Sequence, residues 1–171
     1  MVDADTAVNV VTAVGVLGGL AIVGLQLRQT ERRDRAALIE AIHSFRSQEY
    51  GAAYRLLASL PDGLSGEELR GRGPEIERAA YAFAGTCGPL GLLVHRRVLP
   101  LDDVADLLGG QVRLGWRKMR GLAELRRSEV GSGKPFEWTQ WLAERLEEHA
   151  RPEADAGAYV VHKAWQPQAR R

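Results

Sequence analysis

The chain has 171 residues, 23 of them basic and 22 acidic, for a formal net charge of +1. That balance removes any global electrostatic argument for nucleic acid, and the length allows one domain of ordinary size beyond any anchor. A single cysteine, Cys87, excludes an intrachain disulfide framework and fits a reducing compartment.

Thr6 to Leu27 contains no charged side chain. At about 1.5 Å per residue this stretch extends roughly 33 Å, enough to cross a hydrocarbon core of ~30 Å. It predicts one transmembrane helix and makes the lipid bilayer the first expected partner. Asp3 and Asp5 stand where a signal peptide would be basic, and the run ends in Gln26-Leu27-Arg28 rather than in small residues, so a cleaved leader is not expected. Arg28, Arg32, Arg33 and Arg35 follow the span and no Lys or Arg precedes it. The positive-inside bias then puts the N-terminus outside and the remainder in the cytoplasm, at the inner (plasma) membrane. Those arginines are also expected at headgroup level. Gly15 and Gly19 form a small-xxx-small pair that would let two spans approach closely, giving a homo-oligomer through the membrane helix.

After a polar stretch, apolar spacing resumes at Leu38, Ile42 and Phe45. Ser47 is a candidate N-cap for a helix bearing Tyr50, Tyr54 and Leu57, which Pro61-Asp62-Gly63 would end. The glycine-rich, charged stretch to Gly73 reads as a surface loop. Pro74 suits the first position of the next helix, whose stripe is Ile76, Ala80, Phe83, Ala84 and Cys87, with a kink expected at Gly88-Pro89. Asp102 is expected to cap a short helix closed by Gly109-Gly110. A longer helix over 111–127 would bury Val112, Trp116, Met119 and Ala123. Gly131 to Pro135 reads as a connection, and a last helix from about Phe136 to His149 carries Trp138, Trp141, Leu142 and Leu146. The expected fold class is all-α: one N-terminal transmembrane helix followed by an irregular bundle of about five helices. The divisions are an N-terminal segment and span (1–27), a cytoplasmic helical domain (28–149) and a flexible tail (150–171). Within the tail, Tyr159, Val160, Val161 and Trp165 are too apolar for a purely solvating segment.

Phe136-Glu137-Trp138 followed by Trp141-Leu142-Ala143-Glu144-Arg145-Leu146 resembles the end of a bacterial family of uncharacterised single-span membrane proteins. The stretches Leu90 to Leu99 and Leu107 to Trp116 fit the same pattern, so the likeness extends over residues 28–147. It implies a span followed by a small helical domain. It implies no activity, and no functional residue is carried over from it.

No catalytic constellation is assembled locally. Glu40-Ala-Ile-His43 has the spacing of one half of a di-iron ligand set, but no second Glu-x-x-His exists. His95, His149 and His162 lack mutual zinc-ligand spacing. Gly131-Ser-Gly-Lys-Pro135 fails as a phosphate loop, since Ser128 replaces the first glycine and Pro135 the magnesium-binding hydroxyl. Cys87 on an apolar stripe reads as a buried small residue. No cofactor, metal or catalytic residue is therefore assigned.

Two features point to binding. Arg113, Arg117 and Arg120 share one helical face and form a possible basic patch toward an anionic leaflet or an acidic partner. Trp165 is the best candidate for an exposed partner anchor. The sequence thus predicts a membrane-anchored cytoplasmic module that acts by protein–protein interaction as a scaffold or regulator, with an unknown protein partner and no nucleic acid. The alternative is a membrane-tethered enzyme or ligand-binding bundle, for which Glu40, His43 and His95 are the nominees.

Overall fold

The structure, a computed structural model, describes residues 43–45, 47–150, 158–161 and 163–166. The predicted span Thr6–Leu27 with Gly15 and Gly19, the arginines at 28, 32, 33 and 35, and Glu40 all lie outside the described residues. Six helices occur among the described residues, with no strand: α1 (Gln48–Ala58), α2 (Gly66–Gly71), α3 (Pro74–His95), α4 (Leu101–Val130), α5 (Glu137–His149) and the single turn α6 (Ala158–Val161). Among the described residues no helix is long and apolar enough to cross a membrane. The 30-residue α4 carries charge along its length and buries only one stripe.

Local chemistry explains the ends of these helices. Ser47 Oγ accepts from the Tyr50 amide at 3.1 Å, the expected N-cap of α1. Pro74 opens α3, where its missing N–H is not needed. The end of α3 is a Schellman motif with Arg97 in the left-handed region (φ 58°). The Arg97 amide donates to the Val94 carbonyl at 2.9 Å and the Val98 amide to the Leu93 carbonyl at 3.0 Å. Gly131, at φ 64°, ends α4.

Three expectations need correction. The stretch after Gly63 is not all loop, because Ser65 and Glu68 close a reciprocal capping box that starts α2. Leu69, 1% exposed, then ties this short helix to the core. Second, Gly109-Gly110 does not end a helix. Val104, Leu108, Val112, Gly115, Met119 and Leu122 form one buried stripe across it, and packing of that stripe overrides the low helix propensity of glycine. The N-cap of this helix is Pro100, so Asp102 lies in its first turn and favours the N-terminal end of the dipole. Third, Trp116, expected among the buried residues of 111–127, is half-buried.

Helix α3 packs between α1 and α5, and α4 runs against α2, α5 and α1. Phe83 is fully buried at the centre, its ring stacked 5.8 Å from Tyr50 and lying over Gly115 of α4, which has no side chain to exclude it. Cys87, Leu57, Leu99 and Leu142 complete the interior. At the α3–α5 crossing Gly91 meets the Trp138 carbonyl directly, and the buried Thr139 hydroxyl donates to the Ala84 carbonyl at 3.4 Å. The close approach of the two backbones leaves no room for a side chain at position 91. Pro89 lies within α3 on its exposed side, and the helix continues through it to His95.

Candidate functional site

One face of α3 is not used by the core. Its buried side chains are Ile76, Ala80, Phe83, Cys87 and Leu90. The opposite side carries Arg78, Tyr81, Ala82, Gly85 and Thr86, spaced one helical turn apart. Two open depressions flank this outer face. One, of 340 Å³, lies against Lys134, Pro135, Phe136, Glu137, Trp138 and Thr139 at the start of α5. The other, of 490 Å³, lies against Ser47, Glu49 and Tyr50 at the start of α1. Tyr81 and Gly85 line both, so the two depressions adjoin along α3 and together make a shallow groove interrupted by Tyr81. Its floor is small-residue backbone: a Cβ added at Gly85 would meet nothing within 4 Å.

Tyr81 divides the groove, and its position is fixed from several sides. Its ring lies 5.0 Å from that of Phe136. The Arg126 guanidinium sits 5.7 Å over the ring while its Nε donates to Tyr81 Oη at 2.9 Å. Arg126 is held in turn by Glu77 at 3.4 Å and by Glu129 at 2.9 Å, and Glu129 also takes a two-pronged contact from Arg70. Hydrogen bonds from Arg70 and then Arg126 pull the Glu129 carboxyl down to about 2, and the same bonds push both guanidiniums upward. The cluster therefore stays charged across the physiological range and joins α2, α3 and α4 behind the groove.

The remaining candidates are spread around the bundle. Of the arginine face, Arg117 meets Asp62 at 3.4 Å and Arg113 meets Glu147 at 3.9 Å, while Arg120 is exposed. Lys118 shares Asp62 at 2.8 Å, and its hydrogen bond holds that carboxyl below its ordinary value. Two of the three arginines in the predicted patch thus face carboxylates already. Asp102 pairs instead with His149 at 2.6 Å, fastening the start of α4 to the end of α5. His43 is exposed. His95 packs its ring 5.0 Å from Trp138 and 5.3 Å from Trp141. Among the described residues no three His, Cys, Asp or Glu side chains gather as a metal site would require. Burial pushes the Cys87 thiol far above its ordinary value, which disfavours a thiolate. Trp165 is 72% exposed, with Tyr159 and Val160 exposed nearby in the chain.

The groove and the Glu129 cluster were missed by sequence reasoning. Arg70 and Glu129 are 59 residues apart, and nothing local announces their pairing. The only available signal was the i, i+3 spacing of Arg126 and Glu129. No protein-family model, no curated protein and no solved structure matches this chain.

Proposed function

We propose that this chain is a membrane-anchored helical module that works by binding a protein partner in the groove along α3, at the inner face of the membrane. The observation that carries this reading is the groove itself: an exposed helix face with a glycine floor and aromatic walls, Tyr81 being 44% exposed in its centre. A floor without side chains lets a partner backbone come close, and walls of Tyr81, Phe136 and Trp138 supply apolar area with polar edges, the composition favoured at interface centres. Glu49, Arg78, Lys134 and Glu137 at the rim carry both signs of charge, which suits a polar border rather than a nucleic-acid track. The uncharged stretch at 6–27 with its following arginines supports the anchor and the orientation.

The test has two stages. Alkaline washing of membranes and protease access to a C-terminal tag in spheroplasts examine the anchor; the tag is expected to stay in the washed membrane and to be protected. In-membrane crosslinking then compares the natural chain with Gly85→Leu. Leucine at that position enters open space, raises helix propensity and obstructs the groove, so folding is retained and a crosslinked partner is lost. A partner captured equally by both chains refutes the groove as the site.

A further inference from the structure

The end of the chain differs in charge from the helix before it. From Ala156 to Arg171 there are three basic residues, Lys163, Arg170 and Arg171, and no acidic one. In the described part Tyr159 is 83% exposed, Val160 54% and Trp165 72%, with Lys163 exposed between them. Glu153 and Asp155 precede this stretch in sequence, and on α5 Glu147 faces Arg113 at 3.9 Å while Glu148 pairs with Arg145 at 2.7 Å.

We propose that the stretch carrying Tyr159, Val160, Lys163 and Trp165 is a second membrane contact, made to the headgroup region of an anionic leaflet. Tyr and Trp combine an apolar ring with a polar edge and favour the membrane–water boundary. Basic side chains beside them are drawn to the negative surface potential of the cytoplasmic leaflet, whereas a neutral surface would leave that charge unused. One contact of this kind binds weakly and reversibly, but a chain already tethered at its other end meets the surface at high effective concentration. The inference rests on the anchored reading, and it names lipid rather than protein as what Trp165 touches. The chain would then meet the membrane through both of its ends.

The test uses the full chain in lipid nanodiscs with brominated acyl chains, which quench tryptophans at the bilayer. In phosphatidylglycerol discs the natural chain is expected to show a quenched component that Trp165→Phe removes. In phosphatidylcholine discs, or at high salt, that component should shrink. Replacing Lys163, Arg170 and Arg171 by glutamine should weaken the affinity of the tail for anionic lipid by about fivefold per charge removed. Equal quenching of the natural chain and Trp165→Phe in anionic discs overturns the proposal. So does a Trp165 component that is independent of lipid charge and salt, or one shifted to the blue by a protein without lipid quenching. If the chain fails to enter discs at all, the anchor reading falls separately. The same pair of chains with added phosphatidylglycerol vesicles then decides the tail.

Discussion

Two glycines five residues apart on α4 should respond oppositely to the same substitution. At Gly115 an added Cβ would overlap the ring of Phe83, reaching Cε1 at 2.9 Å and other ring atoms closer still. Phe83 has no room to retreat, being fully buried and stacked on Tyr50. At Gly110 the added Cβ would meet nothing within 4 Å. Removing a mid-helix glycine gains about 0.8–1 kcal/mol at either site through helix propensity. Overpacking at Gly115 costs about 1–3 kcal/mol against that gain. Gly110→Ala should therefore stabilise by up to ~1 kcal/mol, while Gly115→Ala should be neutral to about 2 kcal/mol less stable than the natural chain. Urea unfolding followed by circular dichroism in mild detergent would read the difference without relying on Trp116, which adjoins the site. A second substitution, Phe83→Leu, should narrow the gap between Gly115 and Gly115→Ala, since it removes the ring that the methyl strikes. If the two alanine variants were equally stabilised, Phe83 would not lie over Gly115 and the α3–α4 contact described above would be wrong.

Four further predictions follow from individual residues. The Glu129 carboxyl is depressed to about 2, so its ion pairs contribute fully above the ordinary glutamate value of ~4.5 and are lost as pH falls toward 2. Acid unfolding of Glu129→Gln should accordingly show a weaker pH dependence across that window than the natural chain. Ser65→Ala should destabilise by about 1 kcal/mol through loss of the capping box, seen as faster amide exchange in 66–71. Arg97→Gly should stabilise by about 1 kcal/mol, because position 97 is left-handed and glycine adopts that conformation without a Cβ clash; thermal unfolding would read it. Cys87 should resist a thiol-specific reagent in the native chain and react fully in denaturant, and rapid native labelling would contradict its burial.

The sequence carried much of the helical plan. Ser47, Pro74 and the stripes of α1, α3 and α5 announce themselves through capping and 3.6-residue spacing. The errors arose where local composition opposed tertiary packing. Gly109-Gly110 looked like an ending because glycine weakens a helix by itself, but Gly109 is buried and the surrounding stripe holds the helix together. Ser65 and Glu68 have capping-box spacing, yet the glycines and charges around them favoured a loop, and burial of Leu69 decides the matter. The groove was beyond sequence reading for a different reason. It belongs to no single element and exists because α1 and the start of α5 flank α3 without covering its outer face. The exposure of Trp165, by contrast, follows from an apolar residue in a polar tail, and this was readable from composition.

Pro89 gives that outer face a property that spacing alone would not. Its ring nitrogen carries no hydrogen, so the carbonyl four residues earlier, that of Gly85, lacks the helix donor it would otherwise have. Gly85 lines both halves of the groove, so the turn of α3 that loses this bond is the one facing it. A backbone acceptor cannot be removed by changing the residue's own side chain. Pro89→Ala would restore the missing backbone bond while leaving every lining residue of the groove in place, and so would separate the helix backbone's part in binding from that of the walls.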